Sequence, residues 1–150
     1  MGKLVDTMLK VENRPVLIRD CATMIDQEVS DKGGLSGMAI KAGYATAKAF
    51  KAGMINEVLE GMVDDMVKNL EPLWEEFEKG GKATSLEVYL GARSGQVADA
   101  LLKISDDRAA KTHHQTLKKV YERLRPTGKK NVEQAVPRVA GLVSRHMRNA

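Results

Sequence analysis

The sequence predicts an all-α fold, one compact helical domain or bundle of about six to eight helices spanning residues 1–150. Three observations carry this. Apolar residues recur at helical spacing along nearly the whole chain, with no sustained strand-like alternation. The 43% hydrophobic content is mostly Ala, Leu, Val and Met, against only 4% aromatic. Straight-chain apolar residues lose little rotamer freedom in helices, whereas sheets favour aromatic and β-branched residues. The linkers are short, which makes consecutive helices neighbours.

The elements follow in order. A first helix covers about residues 2–10, with Leu4, Val5, Met8 and Leu9 on one face. Arg14-Pro15 starts the second, because proline suits a first turn. Its stripe is Val16/Leu17, Cys21, Met24/Ile25 and Val29, and Lys32-Gly33-Gly34 ends it with a glycine for a left-handed cap. Ser36 opens the third, running to about Phe50. Ala39, Gly43 and Ala47 recur there every four residues, which predicts a central helix that neighbours approach closely, with a backbone surface left open for a ligand as the other reading.

Gly53 separates it from the most regular stripe: Ile55, Val58/Leu59, Met62/Val63, Met66/Val67 and Leu70. Pro72 interrupts or restarts the ladder before Leu73, Trp74 and Phe77. Lys79-Gly80-Gly81-Lys82 is the strongest loop signal. Thr84-Ser85-Leu86-Glu87 reads as a capping box with Thr84 as N-cap. The next helix carries Leu86, Val88/Tyr89 and Leu90, with Gly91 and Gly95 as a bend or break, then Val97 to Ile104. Ser105-Asp106-Asp107 offers another cap. Leu117, Val120/Tyr121 and Leu124 mark a further helix ended by Pro126-Thr127-Gly128. The last runs from about Asn131 to Met147, with a kink expected at Pro137.

The net charge of +4 conceals a division. Residues 1–107 hold 13 basic and 18 acidic side chains; residues 108–150 hold 11 and 2. Within the first part, residues 52–80 form an acidic segment with eight acids and two lysines. Such asymmetry marks surfaces that meet polyanions, or charged segments that meet each other. The candidate anion or partner surface is Lys118, Lys119, Arg123, Arg125, Lys129, Lys130, Arg138, Arg145 and Arg148, with Arg108 and Lys111 beside it. Docking of this segment on the acidic segment, within one chain or across a dimer, is the leading expectation. Nucleic-acid binding is the competing one, although Tyr121 is the only aromatic interleaved for stacking.

Several classes are excluded. A lone Cys21 permits no internal disulfide and no cysteine zinc site. No run approaches a membrane span, and Asp6 argues against a signal peptide. Gly2 begins a myristoylation pattern that fails at Asp6, where Ser or Thr is required. A cytoplasmic protein is expected.

Chemistry-bearing motifs are thin. His113 and His114, read on a helix, point about 100° apart and cannot share a metal. Lys32 to Gly37, followed by Lys41, resembles an anion-binding helix start but lacks the Walker spacing. Cys21 reads as a buried hydrophobe. Met24, Met38, Met54, Met62 and Met66 read as core fillers or as the lining of a malleable apolar groove.

Gly34-Leu35-Ser36-Gly37, Lys41-Ala42-Gly43-Tyr44, Leu73-Trp74-Glu75, Tyr89-Leu90 with Arg93, and Val97 to Leu102 occur together. In that order they resemble a family of small, all-helical bacterial proteins known only as a domain of unknown function. The resemblance covers most of the chain. It implies a helical cytosolic protein and carries over no catalytic residue.

The expected function is therefore a non-enzymatic interaction or scaffold protein, with a homodimer as one form. Nucleic-acid or anionic-surface binding through the basic C-terminal helices is the first alternative. A carrier of a small apolar ligand or lipid is the second. No catalytic residue, cofactor or metal is expected.

Overall fold

The computed structural model describes residues 2–50, 53–80 and 84–148, with side chains throughout except at positions 36, 47, 50, 54, 117 and 120. Seven α-helices and no strand occur among the described residues: α1 (Lys3–Met8), α2 (Arg14–Ser30), α3 (Gly34–Phe50), α4 (Met54–Lys79), α5 (Leu86–Gly91), α6 (Ser94–Lys111) and α7 (Gln115–Arg148). Gly81 and Lys82 of the expected loop lie outside the described residues.

Two long helices organise the molecule. The 26-residue α4 packs against α1, α2, α3, α5 and α6, and the 34-residue α7 packs against α1, α2, α5 and α6. Their apolar stripes share one core, where Leu70 and Trp74 of α4 and Val143 of α7 close around Leu4 of α1 and Leu90 of α5. Trp74 and Phe77 stack tilted at 5.6 Å, and Phe77 meets the edge of Tyr89 at 5.4 Å. Three of the six aromatics of the chain thus cluster at this core. Offset and edge-on contacts of this kind suit the ring quadrupole.

Glu71 fastens α1. Its carboxylate, only 8% exposed, accepts hydrogen bonds from the Leu4 and Val5 backbone amides at 3.2 and 2.9 Å. Those are orphan donors of a first turn, so Glu71 serves as their cap from a distant helix. Arg14 fastens α2 to α4 through Glu60 at 2.7 Å and Asp64 at 3.0 Å.

The helix limits correct several expectations. α7 is one helix through Pro126-Thr127-Gly128, where an end was expected, and Pro137 lies inside it as expected. Both prolines are exposed, so the carbonyls they leave without a donor face water rather than core. Pro72 sits on the exposed side of α4 for the same reason. Ser105-Asp106-Asp107 is interior to α6 rather than a cap. The cap of α5 is Ser85, which accepts from the Val88 amide at 3.2 Å, and not Thr84. The buried stripe of α2 uses Leu17 and Ile18, while Val16 is 39% exposed.

The largest difference concerns α3. It is peripheral, meeting α2 and α4 with Gly37, Ile40 and Tyr44 on its inner side. Ala39 and Gly43 face solvent, and Ala47 lies outside the described side chains. A Cβ built on Gly43 meets nothing within 4 Å. Close approach is required at Gly37 instead, where a Cβ would lie 2.6 Å from the Lys32 carbonyl carbon. Gly34 and Gly53, at φ of 71° and 75°, provide the left-handed turns at the two ends of α3.

Candidate functional site: the charged and apolar faces

The cations of the basic C-terminal segment are neither all paired nor all free. Arg125 places Nε and Nη2 each 2.8 Å from the two Asp106 oxygens and reaches Asp99 at 3.2 Å. Lys129 reaches the other Asp99 oxygen at 3.1 Å. Arg138 binds Glu28 at 2.6 Å and also pairs with Asp31. The partners therefore lie on α6 and α2.

These pairs fix protonation. The Arg125 guanidinium, then the Tyr121 hydroxyl, holds the Asp106 carboxyl down at about 2. Hydrogen bonds from Lys129 and Arg125 lower Asp99. Tyr121 bridges α7 to Ser105 at 2.9 Å and to Asp106, and burial raises its hydroxyl. A second cluster joins α2 to α3: Tyr44 donates to Asp26, and Lys48 reaches it at 3.3 Å. Tyr44 is pushed up to about 12 by burial and by Asp26, while Asp26 is lowered. In both clusters the carboxylate stays charged and the phenol stays protonated across neutral pH. The arrangement suits a clasp rather than proton transfer near neutrality.

The remaining candidates have no ion pair among the described residues. Lys119, Arg123, Lys130, Arg145 and Arg148 are exposed, and Lys118 is half-buried. Arg108 and Lys111 are exposed at the end of α6. His146 lies inside the fold with Nε2 2.8 Å from Asp20.

Other motifs resolve differently. His113 and His114 sit in the α6–α7 turn, not on a helix, and are exposed. Among the described residues no group of three His, Cys, Asp or Glu is placed to hold a metal. Lys32 turns its ammonium to Glu28 at 3.3 Å and to Gln134 at 2.9 Å, rather than into the turn before α3. A groove of about 440 Å³ lies beside it, between that turn and residues 127–134 of α7. Burial pushes the Cys21 thiol up to about 11, as expected of an inert thiol in an apolar setting. Met38 is 67% exposed rather than a core filler; Met24, Met62 and Met66 are half-buried, and the Met54 side chain lies outside the described ones. The interior gap beside Trp74 and Val143 measures about 10 Å³, too small for an acyl chain. No helix among the described residues is long and apolar enough to cross a membrane.

The small-residue face of α3, which its spacing marks for close packing, is exposed. At 3.6 residues per turn, Leu35, Met38, Ala39, Ala42, Ala45, Thr46 and Ala49 share an arc of about 120°. All are exposed and none is charged. Leu35 is 87% exposed. Lys41 and Lys48 flank one edge of the arc, and no acid occurs in α3.

The acidic partners of the basic segment had one readable signal. A turn of three residues joins α6 to α7, so residues equidistant from it face each other. Ser105 with Tyr121 satisfies that relation and Asp99 with Lys129 nearly does, whereas Asp106 with Arg125 is offset by more than a turn. The Arg138 pairs span more than 100 residues and have no such signal.

No curated protein and no solved structure matches the chain. A family model does match residues 4–147, and the chain belongs to that family, the family of unknown function DUF6918.

Proposed function

We propose that the protein is a non-enzymatic interaction protein that pairs with a second copy of itself through α3. The observation that carries this is the exposed, uncharged outer arc of α3, with Leu35 87% and Met38 67% exposed. A monomer with a solvated α3 would ordinarily place charged residues there, as α4 does with Glu57, Glu60 and Asp65. Contiguous exposed apolar surface of this kind marks interaction sites.

Side-chain size favours a helix as the partner. Ala39, Ala42, Gly43, Ala45 and Ala49 leave the backbone open to close approach by another helix. A bilayer would be served better by bulky apolar residues, of which the arc offers only Leu35 and Met38. A second copy suits the face because an uncharged arc brings no like charges together in an isologous contact. The neighbouring Lys48 is engaged by Asp26 of its own chain.

Disulfide trapping tests this. Ala42 is the midpoint of α3, so a symmetric pairing brings its two copies closest. Ala42→Cys is expected to form a covalent dimer under mild oxidation, since bridging requires Cα atoms within about 7 Å. Glu75→Cys, on the exposed side of α4, is the control. No crosslink at position 42, or equal crosslinking at both positions, contradicts the proposal.

A further inference from the structure

We infer that the outer ridge of α7 binds the phosphate backbone of double-helical nucleic acid without regard to sequence. The ridge is continuous. Lys119, Arg123, Pro126, Lys130, Gln134, Pro137, Gly141, Arg145 and Arg148 follow one another at steps of three or four residues. Such steps keep one side of a helix. Gly141 is half-buried and the other eight are exposed. The two acids of α7, Glu122 and Glu133, border it three residues after Lys119 and Lys130, and Lys130 shares a groove with Glu28 and Asp31. The five cations of the ridge have no ion pair among the described residues, whereas Arg125, Lys129 and Arg138, on other sides of α7, are held by acids of α6 and α2. The fold thus neutralises Arg125, Lys129 and Arg138 and leaves the ridge charged.

The identity of the partner follows from what the ridge lacks and how it is spaced. It carries no aromatic side chain, and single-strand binders stack bases on aromatics. It carries no bulky apolar side chain, which a helix lying in a bilayer interface needs. What remains is recognition of phosphate, the sequence-independent part of duplex binding. The cations form two groups, Lys119, Arg123 and Lys130, then Arg145 and Arg148. Their centres are about 34 Å apart at 1.5 Å per residue. That equals about one turn of duplex, about 34–36 Å. One face of a duplex laid along α7 therefore meets both groups. This inference does not depend on pairing through α3.

The test is fluorescence anisotropy of the full chain with a mixed-sequence DNA duplex of about 20 base pairs, from about 50 to 200 mM salt. Neutralisation of about five phosphates gives a log–log salt slope near −4.5, hence a loss of about 10²–10³-fold across that range. Arg145→Gln with Arg148→Gln is expected to reduce the slope by about 2, and Lys119→Gln with Arg123→Gln to do the same. Arg19→Gln, an exposed cation of α2, is the control and leaves the slope unchanged. A duplex of about 8 base pairs spans about 27 Å, short of the about 44 Å from Lys119 to Arg148, so it cannot meet all five cations at once and is expected to bind at least 10-fold more weakly. Melting by circular dichroism verifies that each variant is folded. Absence of saturable binding at the lowest salt, a flat salt response, or ridge variants that behave like the control overturn the inference. Binding to vesicles of phosphatidylcholine and phosphatidylserine in preference to the duplex overturns it as well.

Discussion

Arg125 spans both carboxylate oxygens of Asp106, each at 2.8 Å, and so ties the middle of α7 to α6. With Asp106 held at about 2, the native carboxyl lies below its ordinary value of about 4. The unfolded chain then binds the proton more readily. The stabilisation is fully present above pH ~4 and is lost as pH falls toward ~2. Asp106→Asn is expected to flatten the acid limb of a urea-denaturation series, leaving the contributions of Asp99 and Asp26. Arg125→Ala at neutral pH should cost about 1–2 kcal/mol, the pair being partly solvated. An unchanged acid limb in Asp106→Asn would contradict this role.

Glu71 caps α1 from a buried position, so its removal leaves two amides unsatisfied. Glu71→Ala is expected to destabilise by about 2–3 kcal/mol, while Glu71→Gln, which keeps one acceptor, costs about half as much. Thermal melting reads the order Glu, Gln, Ala. Gly2→Ala should also lower stability, because its Cβ would overlap the Glu71 carboxyl.

Two glycines give opposite signs. Gly37→Ala drives a Cβ to 2.6 Å from Lys32 backbone and should destabilise by about 1–3 kcal/mol. Gly61→Ala, on the exposed side of α4 with nothing within 4 Å, should stabilise by about 0.5–1 kcal/mol. Denaturation midpoints of the pair test how closely the α2–α3 turn is packed.

Cys21 is expected to resist thiol reagents. Burial raises its thiol from 9.0 to about 11, which leaves about 100-fold less thiolate at pH 8. Modification by a chromogenic disulfide should be slow in native protein and fast in denaturant. Rapid native labelling would contradict this placement.

Helix identity was readable where burial follows a single stripe. Leu59, Val63, Val67 and Leu70 of α4 behave that way, as do Val136, Val139 and Val143 of α7. It failed where a breaker faces water. Pro126 ends a helix on paper, yet it sits on the exposed ridge, where a lost hydrogen bond is replaced by solvent. It failed again at Ala39 and Gly43. Small residues signal close approach but do not say whether the approaching helix belongs to the same chain. The charge division between residues 1–107 and 108–150 was visible in sequence. Which cations are neutralised was not, because Arg138 meets Glu28 and Asp31 only through the packing of α7 on α2.

Self-association through α3 is the central claim, and light scattering on the eluting peak of the full chain tests it most directly. At concentrations of tens of micromolar the expected mass is twice the 16.5 kDa of one chain. Met38→Glu with Ala42→Glu, which places charge on the outer arc, should return the mass of one chain while melting remains cooperative. A wild-type peak at 16.5 kDa, or a dimer that survives both substitutions, would contradict the claim.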